Sequence, residues 1–598
     1  MNQRLMPNWA RSSRASVGVA ALASIAALAV SGAASPARST PSTDCPTAYP
    51  ESSLTANQPV TGLTVSQGTT PDPFSGEVLG VLQDGIAPGL DMILVRLTSP
   101  EIDRVGGIWE GMSGSPVYAS DGSLIGAVSY GLATGPSTVA GVTPAADMQA
   151  LLTEQDTAAP ATKFATRATL TKALTSRLVA SGAASSSEAA GGMRRLRLPF
   201  SISGMATDKR RADLAKGLHL TNAHLMAGGA PGSSTPSYPM VTGGNIAATI
   251  SYGDVTAAGI GTVTAICGTQ VLGFGHPMEF LGSSSYFLQG ADAIYVQEDP
   301  TVAGFKVANL GAPVGTVTGD HLAGILGVTG ASPSYATVTS SVAVDNRSRT
   351  GSSYIAIPDD VPDIATANMI SDQDRVLDYT GKGSGTASWT IKGTRHNGTA
   401  FSVSRSDVYS DDYDISYATG GDLSNALYEI YYNGHEPVTI DSVTTSSHLD
   451  QSTGSYTIKR VQAFERGAWR TLNGNSVVTA RAGSTKKFHV RLTSGTFSTR
   501  NITVSVHIPA TARGKSGSVE VYGGNASASD GGLYGDDGSS SSTLNQVLSQ
   551  LRSAPHHNQV VADLQMYSRS GNPAAHRQGR FSLAHVVNGD LMVSIDVH

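Results

Sequence analysis

The run Gly111-Met112-Ser113-Gly114-Ser115-Pro116 sets two hydroxyls inside a glycine turn between strand-like segments. A serine becomes a nucleophile when a tight turn exposes its oxygen, a base takes its proton, and free backbone N–H groups receive the developing oxyanion. Gly111 and Gly114 suit that purpose, because they permit an unusual backbone twist and leave room for a substrate. The same string also reads as an ordinary glycine turn of a β-protein. A base must come from elsewhere in the chain, which holds 14 histidines. His276 follows a hairpin pattern and lies between Gly275 and Pro277, hence at a strand end, where the loops of a barrel converge. Its plain reading is a surface-loop histidine.

Other clusters carry less. His556-His557 and the pair His219 and His224 lack carboxylate or cysteine companions at ligand spacing, so no metal is expected. Asp411, Asp412 and Asp414 lack the glycine and terminal Glu of a calcium loop and read as a solvated turn. No cofactor is expected either.

Ile108-Trp109-Glu110 before GMSGSP, the run Gly122 to Val128 after it, and Gly261-Thr262-Val263-Thr264 leading to Gly273-Phe274-Gly275-His276-Pro277 resemble the SpoIVB-type serine peptidases. These are the sporulation protein IV B family of chymotrypsin-like endopeptidases, and the resemblance spans residues 73–345. It implies that Ser113, not Ser115, is the nucleophile, that His276 is the general base, and that the N–H groups of Gly111 and Ser113 form the oxyanion hole. Two departures stand out. The family places its histidine segment before its serine segment, whereas here Ser113 precedes His276 by 163 residues. A triad is defined in space, so permuted lobes satisfy it equally. The family also has an acid in the stretch leading into the serine motif. Here Arg96 to Asp103 offers none at the matching place, Asp103 being displaced. Asp320, 44 residues beyond His276 in the histidine lobe, is the preferred orienter, as chymotrypsin-like order implies. Asp254 is the next choice, and a Ser–His dyad or another acid stays open.

The elements around these motifs are strands. Glu77 to Leu82, Met92 to Leu97 and Leu124 to Ser129 are strand-like runs bounded by Gly and Pro, with Asp121-Gly122 as a hairpin connection. Gly261 to Ile266, a turn at Cys267-Gly268, and Gln270 to Phe274 form a second hairpin. Alternating runs at Ala387–Ile391, Lys487–Leu492 and Thr503–Ile508 suggest an immunoglobulin-like sandwich. Asp422 to Tyr432 and Leu544 to Leu551 read as helices.

The expected class is therefore mainly β: a two-lobe chymotrypsin-like β-barrel peptidase followed by an immunoglobulin-like β-sandwich. The divisions are a signal peptide over 1–34, a Ser/Thr/Pro-rich linker over 35–72 and a serine-bearing lobe over 73–155. An Ala/Ser-rich linker follows over 156–195 and a histidine-bearing lobe over 196–372. The sandwich spans 373–525, and a Gly/Ser-rich spacer with the C-terminal segment spans 526–598. Arg4, Arg11 and Arg14, then an uncharged run from Ala15 to Val30 and the small residues to Ala34, carry the export signature. No later run is long and apolar enough to span a bilayer. Charged residues at 14%, against ~25% in ordinary soluble domains, also favour a β-rich exported protein. A net charge of −6 argues against nucleic acid. Cys45 and Cys267 fit one bridge or two free thiols equally.

The expected function is a secreted serine endopeptidase acting on a peptide or protein, with self-processing in the loose 156–192 stretch and a cell-envelope partner on the sandwich. The rival expectation is a non-catalytic exported β-protein that binds cell-wall polymer or another protein.

Overall fold

Short strands rich in Val, Ile and Gly with few charges cannot leave either face in water, and closing a sheet on itself covers one of them. The chain does this twice in the computed structural model, which describes residues 45–153, 166–220, 223–226, 236–525, 543–568 and 571–598. The expected signal peptide and much of the 156–195 linker's first part lie outside the described residues. Among those described, no helix is long and apolar enough to cross a membrane.

The first barrel uses β1 (Pro59–Thr64), β2 (Asp72–Ala87), β3 (Leu90–Thr98), β4 (Pro116–Tyr118), β5 (Leu124–Leu132) and β6 (Val139–Pro144). Their order is β4-β1-β2-β3-β6-β5, and β5 pairs back to β4 to close the ring. Val60, Ile93, Val95, Val117, Ile125 and Val142 fill it, with Trp109 and Met112 from the serine segment. The expected 35–72 linker is thus corrected over its second half: β1 is a barrel strand, registered from Pro59 opposite Glu77 to Thr64 opposite Asp72. Two short strands, β7 (Arg167–Ala168) and β8 (Met193–Arg195), extend the β5 edge. Between them, the 156–195 stretch holds helices at Lys172–Ala180 and Ser186–Ala190.

Next come β9 (Leu198–Ser203) and β10 (Ala223–Met226), then the second barrel: β11 (Asn245–Gly253), β12 (Thr256–Cys267), β13 (Gln270–Gly273), β14 (Gly282–Gln297), β15 (Phe305–His321) and β16 (Gly324–Thr329). The ring runs β12-β13-β16-β15-β14-β11 and closes from β11 to β12, every pairing antiparallel. Its β12 is buried at all but one position, because one face fills the barrel and the other meets its neighbours.

Beyond the barrel, β17 (Ala336–Val344) and β18 (Arg347–Ile355) carry the sheet outward, through β18 against β11. It continues into β19 (Gly383–Arg395), β20 (Ala400–Asp411) and β21 (Val438–Asp450). Helices Val361–Leu377 and Ile415–Tyr431 cover this sheet and share its core. A C-terminal helix, Leu544–Ser553, adds Leu544, Val547, Leu548 and Leu551 on a single face.

A β-sandwich closes the chain, made of β22 (Tyr456–Glu465), β23 (Ala468–Thr471), β24 (Val477–Ala480), β25 (Thr485–Thr493), β26 (Arg500–His507), β27 (Ser516–Gly523), β28 (Gln559–Tyr567), β29 (Pro573–Ser582), β30 (Val587–Asn588) and β31 (Asp590–Val597). One sheet is β23-β22-β25-β26 with β30 beside β22, and the other is β24-β31-β27-β28-β29. Phe488, Val490, Val506, Val519, Leu564 and Ile595 lie between them. The molecule is mainly β, with barrel lobes followed by a sandwich, as expected. The sandwich boundaries need correction. It spans 456–597 and not 373–525, because the strands between 383 and 450 join the helix-covered sheet, while three strands after the spacer, β28, β29 and β31, complete the second sandwich sheet.

Candidate active site

The serine turn is stapled to the other barrel. Thr262 N donates to Ser113 O at 2.8 Å, Thr262 Oγ1 to Gly111 O at 2.9 Å, and Thr264 Oγ1 to Gly114 O at 2.7 Å. Such close approach of turn to strand requires glycine. Gly114 has φ +99°, and a Cβ there would fall 1.9 Å from Thr262 O. Gly114 therefore leaves room for β12 rather than for a substrate, which corrects the sequence expectation. Gly111, at φ +103°, is likewise covered: a Cβ there would lie 2.8 Å from Lys306 Cβ.

The histidine loop is stapled the opposite way. After β13 the chain turns through Phe274 and Gly275, both at positive φ, and presents His276. Thr143 Oγ1 of β6 donates to Gly275 O at 2.5 Å, and Ser129 Oγ of β5 lies 2.7 Å from Thr143 Oγ1. Each barrel thus holds the other's reactive loop, and Ser113 Oγ and His276 Nε2 meet at 2.9 Å. Both residues have zero exposure.

The tautomer follows from the second ring nitrogen. His276 Nδ1 lies 2.8 Å from Pro277 O, a carbonyl that can only accept. Nδ1 therefore carries the hydrogen, Nε2 offers its lone pair, and the Ser113 hydroxyl donates to it. Arg195 Nη1 donates to the same Pro277 oxygen at 3.0 Å. Burial, helped by the Arg195 charge, pushes the His276 pKa down to about 3, so the ring is neutral throughout the physiological range.

Within the turn, Met112 N donates to Trp109 O, Ser115 N to Met112 O and Gly114 N to Val128 O. The N–H groups of Gly111 and Ser113 have no acceptor among the described residues. Ser115 is occupied elsewhere, its Oγ donating to Thr64 Oγ1 at 2.9 Å.

Asp320, the expected orienter, makes no hydrogen bond to the imidazole. Its carboxylate accepts from Met278 N at 2.7 Å, Glu279 N at 2.8 Å and Leu281 N at 3.4 Å. Burial raises its pKa, although the same N–H groups pull the other way. It buttresses the backbone just after Pro277, and the third position beside His276 belongs to a main-chain carbonyl. Asp254, the alternative, is paired with Arg349, which also binds Asp372. Sequence reasoning missed Pro277 O, Arg195 and Thr262. A carbonyl has no residue type to search for, and Arg195 sits unmarked in the basic run Arg194-Arg195-Leu196-Arg197.

The remaining clusters have other partners. Asp414 caps the helix that starts at Ile415 and pairs with Arg210. His557 packs edge-on against Tyr409. His224 has no described side chain. Among the described residues, no group of three or more His, Cys, Asp or Glu could hold a metal ion. Cys45 and Cys267 form a disulfide, tying the lead-in of the first barrel to the end of β12. No protein-family model matches the chain, and neither a curated protein nor a solved structure matches it.

Proposed function

We propose that this protein is an exported serine endopeptidase acting on peptide or protein substrates. The observation that carries the reading is the 2.9 Å approach of Ser113 Oγ to His276 Nε2, with Nδ1 committed to Pro277 O. In the proposed reaction Oγ attacks the scissile carbonyl carbon while its proton passes to Nε2. The carbonyl electron pair moves onto oxygen, where the Gly111 and Ser113 N–H groups receive it, worth ~3 kcal/mol per donor in comparable sites. Collapse expels the amine, which takes the proton back from Nε2. Water then hydrolyses the acyl ester by the same proton route and restores Ser113. The C-terminal sandwich is proposed as the surface for a cell-envelope partner, on its architecture alone.

Complete burial of both side chains favours a second reading: the Ser–His hydrogen bond pins two barrels of a non-catalytic exported β-protein that binds cell-wall polymer or another protein. In the first reading a substrate must displace covering segments. Residues 304–306 are joined to Glu110 by Glu110 N to Gly304 O at 2.8 Å and Lys306 N to Glu110 O at 2.9 Å.

A fluorophosphonate serine probe, applied to the secreted protein beside Ser113→Ala and His276→Ala, separates the two. The enzyme reading expects labelling of the wild type that is lost in both variants. An unlabelled, folded wild type whose melting temperature falls on Ser113→Ala establishes the pinning role instead.

A further inference from the structure

A lysine is almost never fully buried without a partner of opposite charge. Lys306 has zero exposure, and its Nζ donates to the neutral Asn245 Oδ1 at 2.8 Å. Among the described residues no carboxylate pairs with it. Asn245 is itself fixed, its Nδ2 donating to Ala291 O at 3.0 Å and Gly68 O at 3.2 Å, so Oδ1 is aimed at the ammonium.

Its contacts with Asn245, Glu110 and Gly111 lead back to the serine turn. Asn245 stands opposite Thr262 in the β11–β12 register, and Thr262 holds both Gly111 O and Ser113 O. The Lys306 backbone is bonded to Glu110, and its stem covers Gly111, with Cβ and Cε 2.8 and 3.4 Å from where a Gly111 side chain would begin. A buried cation whose hydrogen-bond acceptor is a neutral amide, with Asp72 acting on it only through space, is poorly compensated at rest. It is better compensated when negative charge develops beside it, which is how a preorganised site stabilises an oxyanion.

We infer that Lys306 is the positioning and electrostatic support of the serine turn, its stem packed against Gly111 and its charge favouring the anionic transition state. The inference rests on the serine-peptidase reading. Burial pushes the Lys306 pKa down to about 7, while Asp72 pulls it up. Glu110, the other acid on the packed segments, acts on Arg194. His276 stays neutral across this range, whereas Glu279, which burial raises to about 8, and Asp360, raised to about 7, ionise within it. The lysine's own part is the alkaline fall that disappears when Lys306 is replaced: the support is present below pH 7 and lost as pH rises through it.

The test is the rate of fluorophosphonate labelling of the full chain between pH 5.5 and 9, for wild type, Lys306→Met and Lys306→Gln, with melting temperatures alongside. The expected wild-type rate is flat on the acid side and falls above a midpoint near 7. Both variants are expected to label more than tenfold slower at pH 6, without the alkaline fall, and to melt no lower than wild type. Gln retains a donor for Asn245 and removes only the charge, so wild-type labelling by Lys306→Gln would overturn the electrostatic role. A pH-flat wild-type profile would overturn it without reference to any variant. An unlabelled wild type overturns the peptidase reading itself, and this inference with it.

Discussion

A neutral imidazole has one N–H and one lone pair, and the neighbour of one nitrogen decides the character of the other. At His276 that neighbour is Pro277 O, so Nε2 is ready to accept the Ser113 proton without any carboxylate. A carbonyl dipole stabilises the resulting imidazolium less than a full charge does, and the Arg195 guanidinium on the same oxygen opposes it. The proposed enzyme is therefore expected to acylate slowly. Asp320 supplies a sharper test. If it oriented His276 directly, Asp320→Asn would select the wrong tautomer and cost about 10⁴ in rate, as in triad enzymes. Here it holds the Met278, Glu279 and Leu281 N–H groups, and an Asn keeps one acceptor oxygen. The expected losses are about tenfold in labelling and about 1–3 kcal/mol in stability. A 10⁴-fold loss with unchanged stability would show that Asp320 meets the imidazole in the working state. Ser113 and His276 were legible because short motifs of distinctive residue types carry them. The orienter was not, because chain order pointed to an acid and a backbone oxygen leaves no trace in sequence. Lys306 was readable in part: with Ala308 and Leu310 it holds the buried phase of β15, a cation where alternation demands an apolar residue.

The elements bring these residues together by exchange, since each barrel's strands hold the reactive loop of the other. That makes the glycines of the serine turn junction residues. In Gly114→Ala the new methyl would lie 1.9 Å from Thr262 O and the residue would keep φ near +99°, a conformation costly to any L side chain. Both penalties act on the contact between turn and β12. The expected outcome is a stability loss above ~3 kcal/mol by denaturant titration, with Ser113 and His276 drawn apart and labelling abolished. Gly122→Ala is the control, because its positive φ occurs in the exposed β4–β5 turn with open space around the missing side chain. It should lose about 1 kcal/mol and keep its labelling. Comparable losses in both variants would show that backbone strain alone, not the junction, decides the effect. Both hairpins that flank the reactive loops could be read from their turns, at Asp121-Gly122 and Cys267-Gly268. The assignment of strands to sheets could not. The strands of 383–450 and of the sandwich alternate alike, and only long-range pairings such as β17 with β21, in parallel register, separate the layers.

At the scale of the molecule, separation along the chain is no obstacle to the pairing: two closed rings face each other whichever is made first, and residues 163 positions apart meet at 2.9 Å. The Cys45–Cys267 bridge crosses the same junction from the side. A junction built around a neutral, wholly buried histidine should respond to acid. His276 has a folded pKa of about 3 against an ordinary value of 6.5, so between these values the unfolded chain binds a proton that the folded one refuses. Its contribution is therefore neutral above pH 6.5, and stability falls as pH drops from 6.5 toward 3, by about 1.4 kcal/mol per pH unit. Protonation would remove the lone pair that accepts from Ser113 and would place a charge beside Arg195, loosening the contact that joins the barrels. His276→Gln cannot take up this proton. Urea midpoints at pH 7.5 and 4.5 should fall further for wild type than for His276→Gln, the difference approaching ~2.7 kcal/mol. Equal acid losses in the two proteins would mean that the junction admits water and that the imidazole titrates as a solvated group. In that case the barrels would already open enough for a substrate to reach Ser113 without displacing residues 304–306.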